Sequence, residues 1–135
     1  LIEELGLKDK VRLRGAVPYS KILRVYAEAD MLAQTSVGFE TQGMTVYEAA
    51  AVGTPSILCD HNIAGEFAEG VHWVVADESV GALAQTLKTA VSDIAGGDTR
   101  HENLSNEDHL LQSDATAKML KYYRSVVDHN NAPKY

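Results

Sequence analysis

Gly43-Met44-Thr45-Val46-Tyr47-Glu48-Ala49-Ala50-Ala51-Val52-Gly53-Thr54-Pro55, followed after Ser56 by Ile57-Leu58-Cys59 and Asp60, decides the architecture of this chain. The first part reads as a helix from Gly43 to Val52, because nothing inside it breaks one and Gly53-Thr54-Pro55 is a strong stop. The apolar triplet that follows is short enough for a buried strand. Upstream, Met31-Leu32-Ala33-Gln34 reads as another buried strand, leading into a loop from Thr35 to Gln42. Downstream, His72-Trp73-Val74-Val75 reads as a further one.

The pattern extends to both ends. Val11-Arg12-Leu13-Arg14 alternates apolar and basic residues with period two, as in a strand with one wet face. Ser20 is a fair cap for a helix from Lys21 to Ala29, with Ile22, Val25, Tyr26 and Ala29 on one stripe. Val80, Leu83, Ala84, Leu87, Val91 and Ile94 recur at helical spacing behind Asp77 or Ser79 as a cap. Beyond Gly96-Gly97 and an acidic loop, Met119, Leu120, Tyr123, Val126 and Val127 mark a final amphipathic helix, expected to pack. Strands alternating with helices predict an α/β sandwich around a mostly parallel sheet.

Length and composition fit one domain: 135 residues, 45% hydrophobic and 23% charged. No window reaches the roughly 18 consecutive apolar residues of a membrane-spanning helix. Leu1-Ile2-Glu3-Glu4 has no basic n-region, so no secretory signal is visible. The single cysteine, Cys59, allows no internal disulfide and no Cys-rich zinc site, and favours a reducing, cytoplasmic compartment. Twelve basic against 19 acidic side chains give a net charge of −7, which argues against general affinity for nucleic acid. The start is nevertheless basic (Lys8, Lys10, Arg12, Arg14, Lys21 and Arg24 against Asp9), whereas residues 92–114 are acidic. The chain lacks an initiator Met and opens in what reads as the last turns of a helix stopping at Gly6, as in a piece of a longer protein.

Chemistry concentrates around the helix that opens at Gly43. Glu48 is its only charged residue from Met44 to Val52, and a carboxylate in so apolar a helix is costly unless paired. No basic residue lies one turn away, so its partner comes from elsewhere in the fold or from a ligand. A glycine-containing loop entering a helix presents free N–H groups and the positive dipole end, a natural diphosphate seat. Glu48 lies five residues beyond Gly43, roughly 7 Å along the axis, about the reach from a diphosphate to the sugar of its nucleotide. Its two oxygens suit two vicinal hydroxyls. Glu40, in the loop, is placed to take hydroxyls of a group beyond the diphosphate. A diphosphate flanked by two hydroxyl-bearing rings is a nucleotide sugar. The pair alone is weak: Glu40 also suits the dipole at a helix start, and Glu48 also suits a distant Lys or Arg.

From Val11 to about Ile94 the chain resembles the nucleotide-binding C-terminal half of GT-B-fold retaining glycosyltransferases, family 4. The resemblance runs through Val11-Arg12-Leu13-Arg14-Gly15, Tyr26-Ala27-Glu28-Ala29-Asp30, Glu40 to Ala49, Gly53-Thr54-Pro55, Asp60, Gly65-Glu66 and the strand before Asp77. It implies a Rossmann-like parallel sheet flanked by helices, as an incomplete C-terminal donor-binding domain over residues 1–135 with 103–129 a helical extension. It implies that Glu48 binds the ribose hydroxyls and Glu40, the catalytic candidate, the donor sugar. Gly43, Met44 and Thr45 would meet the diphosphate and sugar, and the Val17 backbone would lie against the base, with Tyr19 and Lys21 as weaker neighbours. Many members have Gly-Phe-Gly after the first glutamate, where this chain has Thr41-Gln42-Gly43. The Glu-Thr-Gln-Gly form resembles members that glycosylate lipids, which would set the parent at the inner face of a membrane.

The implied reaction transfers a sugar from a nucleotide diphosphate to a hydroxyl acceptor with retention, without metal or cofactor. The five histidines show no metal-ligand spacing, no nucleophile elbow is present, and no Gly-x-Gly-x-x-Gly supports a dehydrogenase. Arg12 and Arg14 share one strand face, as solvated edge guards or phosphate contacts. The family's two leading strands, the basic pair behind the first and the acceptor domain are expected upstream, so this chain alone is expected not to catalyse transfer. Without those strands Val11–Arg14 lacks a neighbour, and open sheet edges invite self-association. Two alternatives stand: a GT-B nucleotide-sugar epimerase, and a non-catalytic glycosyltransferase-like binding module.

Overall fold

Ser56, Ile57 and Leu58 have essentially no contact with solvent, and the sheet is built outward from them. The computed structural model describes residues 1–38, 43–104 and 112–130. Strand β2 (Ser56–Leu58) lies between β1 (Leu32–Gln34) and β3 (Trp73–Val74), and both neighbours run parallel to it. Leu32 faces Ser56 across the first ladder, and Ile57 faces Trp73 across the second. Hydrogen bonds from Cys59 N to Gln34 O (3.2 Å) and from Val75 N to Leu58 O (2.8 Å) carry both ladders slightly further.

Parallel strands require crossovers, and helices supply them. Helix α2 (Met44–Ala51) joins β1 to β2, and the four-residue α3 (His61–Ala64) stands between β2 and β3. Because successive strand residues face opposite ways, Leu58 enters one core with Val46, Ala50, Ile63, Phe67, Val71 and Leu104. Ile57 enters the other, with Trp73, Val75 and Ala90 of α4 (Val80–Ala95). The result is the expected α/β, Rossmann-like arrangement, a parallel three-stranded sheet with helices on both faces.

Helix ends follow local chemistry. Gly53 (φ 81°) donates its N–H to Ala50 O and Thr54 donates to Ala49 O, closing α2 with a left-handed glycine as the Gly-Thr-Pro signal predicts. The same pair of bonds, Gly6 N to Glu3 O and Leu7 N to Ile2 O, ends the opening turn at Gly6. Ser79 Oγ caps α4 at Ala82 N (3.1 Å), and Asp77 takes the N–H of Ser79. Helix α1 (Tyr19–Ala27) begins two residues before the expected start, with Pro18 rather than Ser20 at its cap.

Three expectations are corrected. Val11–Arg14 forms no strand, and Leu13 is 85% exposed. Alternation places a strand only where another strand takes its backbone hydrogen bonds, and none of the described strands pairs there. On α4, Ala90 is the innermost residue while Val80 and Val91 are exposed, so the apolar stripe is rotated from the expected one. On the last helix, α6 (Gln112–Asn130), Met119 and Tyr123 face solvent instead of packing. Helices α3 and α5 (Arg100–Leu104) are additions to the expected elements.

At the amino end of β3, Trp73 Nε1 donates to Asp93 Oδ2 (2.8 Å), and the Arg100 guanidinium stacks 4.2 Å above the indole while pairing with Asp98. This lock ties α4 and α5 to the sheet, on the far side from the carboxyl ends of the strands.

Candidate functional site

Helix α2 starts on Gly43, which sits at φ 53° and carries no side chain to cap the first turn. A β-carbon there would lie 2.9 Å from Ile63 Cδ1, so both the backbone and the space require glycine. Gly43→Ala is expected to destabilise the fold by about 1–3 kcal/mol, read as a lower urea midpoint with an unchanged slope. An unchanged midpoint would mean that the Gly43 turn is not under this constraint. Met44, beside this helix start, is exposed, and Thr45 is half-buried.

Thr45 and Glu48 stand one turn apart on the side of α2 that meets α1. Tyr19 at the head of α1 donates its hydroxyl to Glu48 Oε1 at 2.9 Å. Tyr26 of α1 lies beside the Thr45 side chain and within reach of the Glu48 charge. Burial first, and that charge second, push the Tyr26 phenol above its usual range. The other end of the seam is fastened by Thr54 Oγ1 donating to Tyr26 O at 2.8 Å. Glu48 therefore has its partner from elsewhere in the fold, a neutral hydroxyl rather than a cation. Among the described residues it enters no ion pair. Among the described residues, no hydrogen bond is made to its second oxygen. Tyr19 is 74% exposed at the rim, and Val17 is half-buried two residues before it.

The Tyr47 side of α2 is tied to the turn that follows α3. Tyr47 donates to Glu66 Oε2, and burial first, then that bond, push the Tyr47 phenol up to about 12. Asp60 ends β2 and caps α3, and it also takes the N–H of Gly38, just before residues 39–42. Of the sequence-predicted residues, Gly43, Met44, Thr45 and Glu48 lie on the first turns of α2, while Val17 precedes α1, whose Tyr19 reaches Glu48. Glu40 lies outside the described residues. Sequence reasoning gave Tyr19 too small a place and did not name Tyr26 or Tyr47 as partners. The i, i+7 spacing of Tyr19 and Tyr26 on α1 was the available signal for the two tyrosines beside Glu48.

A cleft of about 380 Å³ opens at the carboxyl ends of the strands, lined by Gly38, Cys59, Asp60, His61, Asp77 and Glu78 among others. That is the end of a parallel sheet where ligands bind. Neither this cleft nor a larger one of about 530 Å³ at the amino ends is lined by Val17, Gly43, Met44, Thr45 or Glu48. Among the described residues no His, Cys, Asp or Glu group is placed to hold a metal ion. No helix among them is long and apolar enough to cross a membrane.

Comparison with known proteins finds relatives that match part of this chain. The chain is 38% identical over 60 residues to the mannosylfructose-phosphate synthase of Agrobacterium fabrum, covering 44% of this chain and 13% of that protein. It is 31% identical over 90 residues to the D-inositol 3-phosphate glycosyltransferase of Nocardia farcinica, covering 67% and 18%. With the enzyme of the same name from Corynebacterium glutamicum it shares 34% over 97 residues, covering 69% and 22%. The chain thus spans less than a quarter of the length of these relatives. No solved structure matches at the same stringency. The family model for glycosyl transferases group 1 matches residues 1–108, and with the α/β fold and the Gly43–Glu48 helix in place, this chain belongs to that family.

Proposed function

We propose that this chain is the donor-binding part of a GT-B-type retaining glycosyltransferase of family 4. It holds a nucleotide diphosphate sugar and, within the intact protein, supports transfer of the sugar to a hydroxyl acceptor. The observation that carries this is Glu48. Its carboxylate is held by the Tyr19 hydroxyl instead of a cation, one turn below a glycine-started, uncapped helix. In this reading Glu48 accepts the ribose hydroxyls and the first N–H groups of α2, at Met44 and Thr45, face the diphosphate. Glu40 takes hydroxyls of the sugar, and the Val17 backbone with the Tyr19 ring borders the base.

During transfer the bond from the anomeric carbon to the diphosphate breaks and a bond to the acceptor oxygen forms on the same face. Negative charge grows on the departing diphosphate, so N–H groups already aimed at it lower the barrier without rearranging. The acceptor site and a complete clamp need more protein than these residues supply, so the chain alone binds donor without turnover. The Glu-Thr-Gln-Gly sequence favours a lipid acceptor, and so a parent that works against a membrane.

Thermal melts with UDP, GDP and ADP test this. Ligand at about 100 times its dissociation constant stabilises by roughly 2.7 kcal/mol, a rise of several degrees in Tm. A rise with one nucleotide alone is the expected result and names the donor class. No rise with any of them would remove the donor site from this chain.

A further inference from the structure

From Thr116 to Ser125 every residue of α6 is exposed to solvent. A helix with nothing to pack against is normally polar all round, and this one is not. Met119 and Tyr123 follow each other at i, i+4, with Leu120 beside them, so the three share one side of the helix. Each of the three is half or more exposed. Lys118, Lys121 and Arg124 recur every third residue on the other side. Arg124 lies one turn beyond Leu120, and Tyr122 one turn beyond Lys118, so a cation stands at each border of the apolar side. No acid occurs from Ala115 to Val127, in a chain whose net charge is −7. Among the described residues none of these three cations enters an ion pair.

We propose that the Lys118–Arg124 stretch of α6 docks on an anionic lipid surface, with the helix axis lying along it. The helix is not long and apolar enough to cross a bilayer. An apolar side bordered by cations alone suits the interface instead, where Met119 and Leu120 enter the acyl boundary and the cations reach lipid phosphates. Long basic side chains extend past the apolar ones to do so. Tyr122 and Tyr123 suit the same depth, each with an apolar ring and a hydroxyl that stays wet. The negative charge of the whole chain does not oppose this, because charges more than about 8 Å apart are largely screened at physiological ionic strength. A second copy on the same face would bring its own three cations against these. The surface stands without the donor-binding reading above. Only its use, bringing the donor site to a lipid acceptor, rests on that reading.

Cosedimentation of the 135-residue chain with vesicles tests this, using phosphatidylcholine mixed with phosphatidylglycerol and phosphatidylcholine alone. We expect binding to the mixed vesicles, about tenfold or more weaker on the neutral ones, and weakened by added salt. Each Lys or Arg near an anionic surface contributes about fivefold. Lys118→Gln, Lys121→Gln and Arg124→Gln together should therefore weaken binding roughly a hundredfold. Leu120→Gln leaves the charge unchanged and should weaken it about tenfold. These positions are exposed, so the urea midpoint of every variant should match the wild type. Leu120→Trp adds a reporter whose emission should move to the blue on mixed vesicles only. Absent binding, equal binding to both kinds of vesicle, or binding unmoved by the triple variant would overturn the proposal. A dimer abolished by Leu120→Gln would also overturn it, by giving this face to a protein. The nucleotide melts report separately: a chain that binds nucleotide and no vesicle loses this surface and keeps its donor site.

Discussion

Glu48→Ala is expected to weaken nucleoside diphosphate binding by about 1–3 kcal/mol, a loss of roughly 5- to 150-fold. The protein should remain folded, because the side chain lost is half-buried and Tyr19, its one hydrogen-bond partner among the described residues, is exposed enough to return its hydroxyl to water. Titration calorimetry with the nucleotide identified by thermal melts would read the first quantity, and urea unfolding the second. Tyr19→Phe removes the donor to Oε1 and leaves the carboxylate, so its loss of affinity should be much the smaller. If the two variants lose affinity equally, the carboxylate matters by holding Tyr19 rather than by holding ribose. If Glu48→Ala binds as the wild type does, the non-catalytic module becomes the better account of the site.

The contrast between Glu48 and Val11–Arg14 shows which kinds of information a sequence carries in the open. Helix α2 was legible because its determinants are local: a glycine to enter, no breaker within, and Gly53-Thr54-Pro55 to leave. The buried strands were legible because a short apolar run between turns has few other uses. Val11–Arg14 misled because its alternation is necessary for a strand and not sufficient, and sufficiency lies in a neighbour far away or absent. Helix α6 misled likewise, since an apolar stripe says that something should cover it and not whether the covering surface is present. For the site, the missing cation beside Glu48 was visible, but the Tyr19 hydroxyl that answers it is 29 residues away. Asp60 looked like one motif residue among several, because no periodicity announces a bond to Gly38. Helices α3 and α5 are too short to impose a period at all.

The same dependence on distant partners governs the second large effect, which is on stability. His72 is 7% exposed, and its Nδ1 accepts the backbone N–H of Ser56 at 2.9 Å, so the ring proton resides on Nε2. Phe67 meets the ring edge-on, 4.5 Å between centroids. Protonating Nδ1 would place two N–H groups against each other in a dry core. Burial first, and the nearby Arg100 charge second, lower the His72 pKa from 6.5 to about 4. Folded protein therefore holds His72 neutral at pH values where the unfolded chain has already bound a proton there. Stability from this source is fully present above about pH 6.5, declines as pH falls, and is gone below about pH 4, for a total near 3 kcal/mol. Between those limits urea unfolding at constant ionic strength should show a slope approaching 1.4 kcal/mol per pH unit. Asp60 and Asp77, whose carboxyls are held below their usual range by backbone and serine donors, add their own loss only at lower pH. His72→Gln keeps an acceptor for Ser56 and cannot be protonated, so it should flatten the profile between pH 6.5 and 4 whatever it does to stability at neutral pH. A variant with the wild-type slope would show that another group binds the proton, and that the Ser56–His72 bond does not join β2 to β3 in the way the buried ring suggests.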